Sequence, residues 1–326
     1  MSEVLVEVWR GPFLECQHRG NAVVVNAKGD VMEAWGDPNI EILPRSSAKM
    51  LQALPLVESG AADRFGLGSE QLALACASHD GNPMHTQAVQ TWLSGLDLDE
   101  SDLRCGSHLP TGHETANALV KAGEEPCQFH NNCSGKHSGF LTLNKHLGGD
   151  AEYVDINHPV QKAALAAFEE STGENASGYG IDGCSAPNFS TSLKGLATAV
   201  ARMTTRSEGS KRLIKAMAQH PLLVAGEGRA CSELMAAVGG GVVLKTGAEG
   251  VFIAILPDQG LGVALKIEDG ATRASECAIA ALLVRLGVAD AAHPMVQKRM
   301  NPALKNAAKM VVGQIRPADR LLSVRV

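Results

Sequence analysis

Ser46 and Lys49 stand three residues apart in the run Pro44-Arg45-Ser46-Ser47-Ala48-Lys49, at the head of an apolar stretch. On a helix that spacing puts both side chains on one face. A serine at a helix N-terminus feels the positive end of the macrodipole, which favours an alkoxide. A neutral lysine beside it could take the hydroxyl proton, provided burial or another cation lowers its pKa. The plainer alternative makes Ser46 or Ser47 an N-cap and leaves Lys49 in solvent.

A second amine tips the balance. Lys245-Thr246-Gly247 falls on an apolar run late in the chain. Serine β-lactamases and penicillin-binding proteins pair S-x-x-K on a helix with K-T-G on a strand. A strand lysine across a cleft would depress the pKa of Lys49 and donate to substrate. The S-D-N motif of that group is absent. Two stretches stand as replacements: Ala77-Ser78-His79-Asp80-Gly81-Asn82, which offers a second serine at Ser78, and Asn132-Cys133-Ser134-Gly135-Lys136-His137. The plain alternatives are a capped helix-to-loop junction and a polar, glycine-containing turn. Cys184 lies in another glycine-rich loop, Gly180 to Pro187. Two loop cysteines with His137 or a lysine could hold zinc, though spacing alone favours ordinary small residues in tight loops. His113-Glu114-Thr115-Ala116-Asn117 lacks the second histidine of a zinc-protease helix, and Gly135-Lys136-His137 lacks the frame of a phosphate loop.

The chain around these residues has 326 residues, 45% of them apolar, and a net charge of −6. That length supports a sizeable core in two domains or one large one. Aromatics are 4% and no basic patch interleaves with them, so nucleic acid is excluded as a partner. Glu3 and Glu7 interrupt the apolar run that a signal peptide requires. The longest apolar segment, Ala278 to Val284, is far below the roughly 18 residues of a membrane span. The expectation is a soluble, cytoplasmic protein, with no membrane partner and its eight cysteines reduced.

Ala22 to Trp35 reads as a hairpin about Lys28-Gly29-Asp30, with Val4 to Arg10 as a further strand. Ser46 to about Ser59 has helical spacing, with Pro55 set to kink or stop it. Helical patterns follow at 70–76, 83–96, 114–121, 161–170, 190–203, 208–217 and 231–238. Three apolar runs, 241–246, 250–257 and 262–268, form a β-meander. A helix over 271–286 closes the pattern, with Gly287 as its C-cap. The fold class expected is α+β. Residues 1–43 and 240–326 supply a discontinuous antiparallel sheet domain, and 44–239 a helical domain with most of the motifs. A cleft between them is the natural site.

The motifs AVVVNAKGDV, RSSAK, CASH, DLRCG, NNCSGKH, DGCSAP, HPLLVAGEGRACSELM, KTGAEG and ALKIEDG, in that order from about Val23 to Asp269, resemble the asparaginase II family of rhizobial-type L-asparaginases. The resemblance implies a fold akin to serine β-lactamases and glutaminases. It implies hydrolysis of the side-chain amide of L-asparagine, with Ser46–Lys49 and Ser78–Lys245 as two Ser-Lys pairs. It also implies zinc at Cys133, Lys136 and Cys184, with Asp182 beside it, which reverses the plain reading of the cysteines. Ser46 is the expected nucleophile and Lys49 its base, with Ser78 and Lys245 relaying protons or exchanging roles with them. Arg45 or Arg229 would anchor the substrate carboxylate; Asp182, Glu227 or the zinc site would anchor its ammonium, and His79 adjoins. A homodimer is the expected assembly. The alternatives are a penicillin-recognising serine hydrolase and a non-catalytic zinc-binding protein on the same fold. The match fades towards the C-terminus, and it leaves open what residues 295–326 contribute.

Overall fold

β1 (Glu3–Arg10), with valines at 4, 6 and 8, and β2 (Phe13–Asn26), with valines at 23 to 25, turn back on each other at Gly11. They belong to a computed structural model of the chain that describes residues 1–322. The expected hairpin is present, with β3 (Val31–Trp35) pairing β2 across Gly29. Two short ribbons follow in the middle of the chain: β4 (Glu41–Ile42) with β7 (Thr191–Ser192), and β5 (Tyr179–Ile181) with β6 (Pro187–Phe189). The meander is β8 (Val243–Thr246), β9 (Val251–Leu256) and β10 (Leu261–Ile267). β11 (Ala303–Lys305) and β12 (Val311–Pro317) complete an antiparallel sheet of order β11-β12-β1-β2-β10-β9-β8, with β3 attached to β2.

Strands from both ends of the chain therefore share one sheet, drawn from residues 3–35 and 243–317. β9 is buried at every position, and β10 at nearly all. A strand wrapped this way needs packed neighbours on both faces and reads as an unbroken apolar run. The helix Leu193–Arg202, capped by the Ser192 hydroxyl on the Gly195 N–H, lies on β2 and β10. The helix Thr272–Arg285 also packs on the sheet. Gly262 lets β10 and the first of these helices touch: a Cβ there would sit 2.2 Å from the Ala197 carbonyl and 2.6 Å from the Ala201 nitrogen.

Two expectations change, and one open point is filled in. The helix expected over 46–59 is broken into a 3₁₀ turn, Arg45–Ala48, and two short helices, Lys49–Gln52 and Leu54–Glu58, with Pro55 in the first turn of the last. Pro55 has no N–H to continue the preceding helix, so the chain restarts there. The polar, glycine-containing turn around Gly135 is instead the start of a 14-residue helix, Ser134–Leu147. Gly135 and Gly139 look weak for a helix, yet they let it press against the helix Ser69–Ala75; a Cβ on Gly135 would lie 2.5 Å from the Leu74 carbonyl. Finally, the described part of residues 295–326 holds most of the helix Pro294–Met300 and the two strands that extend the sheet beyond β1; residues 323–326 lie outside the described residues. None of the described helices is long and apolar enough to cross a membrane.

Gly262→Ala should destabilise the chain by about 1–3 kcal/mol through overpacking, read as a lower midpoint of denaturant unfolding. An unchanged midpoint would contradict the tight helix-on-sheet contact.

Candidate active site

The site begins at a strained turn. Arg45 holds a positive φ of 54°, a conformation rare for a residue with a side chain. Three contacts hold it there. The Asn188 side-chain carbonyl accepts from its backbone N–H at 3.2 Å, and its guanidinium bonds Asp182 through Nε at 2.9 Å and Nη2 at 2.8 Å. Ser46 follows, half-buried, and its hydroxyl makes no hydrogen bond among the described residues. No side-chain cap closes this turn, and the Ser47 hydroxyl is spent on the Pro44 carbonyl at 2.6 Å. Across from it, Gly247 packs so closely that a Cβ would lie 2.6 Å from the Pro44 carbonyl and 3.3 Å from the Ser47 nitrogen. The K-T-G end of β8 is thus pressed on the Ser46 turn.

Lys49 is 1% exposed rather than solvated. Its amine does not bond Ser46; it donates to the Ala77 carbonyl at 2.5 Å and lies 3.1 Å from the Cys133 sulfur. Lys245, also 1% exposed, donates to the Ser78 hydroxyl at 2.7 Å and to the Thr246 carbonyl at 3.0 Å. Burial, followed by the charge of Lys49, pulls the Lys245 amine down to about 7. Of the two Ser-Lys pairs, the structure brings Ser78 and Lys245 into direct contact, and the depressed amine is Lys245.

The sulfurs form the floor. The Cys133 thiol donates to the Asn132 side-chain carbonyl at 3.1 Å, and its interaction with Cys184 holds the Cys184 thiol well below its ordinary pKa, helped by Lys136 and His137. The same interaction and burial push Cys133 the other way, above its ordinary value. Lys136 donates to the Cys184 sulfur at 3.0 Å. Burial opposes its charge, but Cys184 and Cys133 outweigh that and keep it an ammonium. The His137 Nδ1 meets the Tyr153 hydroxyl at 2.8 Å. All eight cysteines are free thiols.

His79 is enclosed: its Nδ1 accepts from the Gly81 N–H at 3.2 Å and its Nε2 meets the Ser134 hydroxyl at 3.0 Å. Burial and then His85, stacked on it at 4.7 Å, keep it neutral. Arg229 is exposed, at the N-cap of the helix Ala230–Val238, and has no ion-pair partner among the described residues. Its charge still reaches Lys245 and Asp80. Glu227 is exposed and lines a separate cavity of about 320 Å³ with Leu222 and His293.

The sequence matches the profile of the L-asparaginase II family over residues 6–317. The chain belongs to that family. Membership makes it an amidohydrolase. No curated protein matches its sequence. Among solved structures, a β-lactamase from Mycobacterium bovis is 14% identical, with 78% of this chain and 89% of that one covered and a TM-score of 0.42. A β-lactamase-like protein from Bacteroides dorei is 13% identical over 76% and 84%, at 0.43. A penicillin-binding protein homologue from Pyrococcus abyssi is 13% identical over 86% and 75%, at 0.38.

Two residues of this family member's site were not singled out from the sequence, although Cys231 lies within the motif HPLLVAGEGRACSELM. Cys231 accepts from the Thr246 N–H at 3.3 Å and so fixes the strand end that carries Lys245. Asn188, which sets the Arg45 turn, lies just beyond the DGCSAP loop and could have been suspected from it.

Lys245 should titrate near pH 7 when its methylated amine is followed by NMR. Lys49→Met, which removes the nearby charge, should raise that midpoint by about one unit. A Lys245 midpoint near 10 in the unsubstituted protein would refute the arrangement.

Proposed function

We propose that this L-asparaginase II family member hydrolyses the side-chain amide of L-asparagine to L-aspartate and ammonia through an acyl-enzyme on Ser46. The observation that carries the reading is the buried Lys245–Ser78 hydrogen bond with its near-neutral amine, on the strand whose Gly247 packs against the Ser46 turn. A general base works best with a pKa near the operating pH. In this scheme the Ser46 oxygen attacks the amide carbon while its proton passes through Ser78 to Lys245. The C–N bond then breaks, and the same proton leaves with ammonia. Water enters by the reverse relay, and the ester is cleaved to aspartate.

Lys49 has a supporting part here, because its amine is turned to the Ala77 carbonyl. It takes no proton from Ser46; its charge keeps Lys245 in its basic form. Arg229, exposed and unpaired among the described residues, takes the substrate carboxylate. Asp182 and the Cys184 sulfur face the ammonium end, while Arg45 is committed to Asp182. His79, with both nitrogens occupied, supports the wall.

The zinc implied by the resemblance is part of the same proposal. Among the described residues no three His, Cys, Asp or Glu side chains cluster as a metal site. The implied donors are two sulfurs and one amine, and they are already gathered: Lys136 lies 3.0 Å from the Cys184 sulfur, whose pKa is held well below its ordinary value, and the buried His137 Nε2 has no hydrogen-bond partner. That soft set fits zinc, which prefers sulfur and nitrogen ligands. Cys133, Lys136 and Cys184 would hold it, with Lys136 and Cys133 giving up protons as it binds. A bound ion would supply positive charge at the site floor.

Ammonia release from L-asparagine should fall by roughly 10³-fold or more in Ser46→Ala and in Lys245→Met. Activity should rise with pH through about 7, because the working form of Lys245 is the free amine. Hydroxylamine should divert product to the hydroxamate, the mark of an acyl-enzyme. Near-native turnover in either variant would end the scheme. Metal analysis should find zinc that chelator removes and that Cys184→Ser lacks; equal zinc in that variant would place the metal elsewhere.

A further inference from the structure

One guanidinium grips the chain on both sides of Arg229, by the Gly228 carbonyl before it and the Glu233 carboxylate after it. Arg299, on the helix Pro294–Met300, donates through Nη2 to the Gly228 carbonyl and to Glu233 Oε2 at 2.5 Å. Gly228 precedes Arg229, and Glu233 lies in the first turn of the helix that Arg229 caps. Through Nη1, Arg299 bonds Glu276 Oε2 at 2.7 Å, on the sheet-packed helix Thr272–Arg285. Lys298 adds a bond to Glu233 Oε1 at 2.5 Å. The Arg299 and Glu233 side chains are 12% and 15% exposed, so the cluster is drier than a surface ion pair and less screened. Its bonds are charge-assisted and fix direction as well as distance.

The clamped stretch reaches into the site at several points. The Val224 carbonyl accepts from the Ser78 N–H at 2.9 Å, and Leu222 accepts from His85 at 2.9 Å. Gly226, with φ of 118°, lies so close over Asp80 that a Cβ would be 2.1 Å from its carboxylate. Cys231 holds Thr246. Arg229, exposed and without an ion pair among the described residues, depends for its place on the backbone beneath it.

We propose that Arg299 is a positioning residue, which holds the Gly228–Glu233 backbone so that Arg229 meets the substrate carboxylate. This rests on the assignment of Arg229 as that anchor. It gives the segment at 294–300 a part in substrate selection, although Arg299 itself meets no substrate.

The test is a double-mutant cycle on the full chain. Arg299→Ala should raise KM for L-asparagine at least about tenfold with kcat nearly unchanged, since the interaction lost is one of binding. Arg299→Lys should recover part of it. Arg229→Ala combined with Arg299→Ala should have the KM of Arg229→Ala alone, because residues acting through one contact are not additive. Backbone amides of 228–233 should exchange hydrogen faster in Arg299→Ala, a readout that needs no activity. If Arg299→Ala fails to fold, Glu276→Gln should shift KM in the same direction with the same non-additivity. An unchanged KM in the variant that folds, multiplicative effects in the double variant, or unchanged exchange would each overturn the proposal. An Arg229→Ala enzyme with native KM overturns the anchor assignment and this inference with it, and leaves amide hydrolysis standing.

Discussion

Two lysine amines, Lys49 and Lys245, are buried in one small region, each about 1% exposed. Removing a cation from water is costly, and placing a second beside it adds repulsion. The structure relieves this unequally. Lys49 has the Ala77 carbonyl and the Cys133 sulfur. Lys245 has the Ser78 hydroxyl and its neighbour's carbonyl, and burial, followed by the charge of Lys49, pulls its pKa down to about 7. A free amine then sits against a hydroxyl, which is the condition for base chemistry at neutral pH.

The surrounding groups keep that asymmetry. A third buried lysine, Lys136, lies 3.0 Å from the Cys184 sulfur, and Cys184 and Cys133 outweigh burial to hold it charged. Arg45 and Asp182 neutralise each other at the mouth while locking the backbone ahead of Ser46 in a left-handed turn. Such strain persists only where the neighbours over-determine it. The sheet supplies the rigidity: β8 is the edge of the meander, β9 beside it is buried throughout, and Gly247 brings the strand end onto the Ser46 turn.

The elements that were plain in the sequence were those with strong local periodicity. The three meander strands, the Lys28-Gly29-Asp30 hairpin and the closing helix all answer to apolar spacing and turn residues. The helix Ser134–Leu147 did not show itself, because Gly135, Gly139, Ser138 and His137 are poor helix formers; it exists because close packing on Ser69–Ala75 outweighs propensity. The two strands near the C-terminus were hidden as well. β12 is mostly half-exposed, so its pattern is faint, and pairing with β1, some 300 residues away, is what defines it.

Residue types and motif order were enough to single out Ser46, Lys49, Ser78 and Lys245, and the cysteine–lysine group, because these side chains have the chemistry of nucleophiles, bases and ligands wherever they lie. The resemblance already paired Ser78 with Lys245, and that Lys49 does not meet Ser46 was a matter for the tertiary structure. Spacing put Lys49 with Ser46, since helical neighbours three apart share a face; the broken helix and the Ala77 carbonyl turned the amine away. The pull on Lys245 and the grip of Arg299 on the Arg229 loop come from burial and from contacts between distant segments. No local pattern records either, because the free energy of a buried charge depends on everything packed around it.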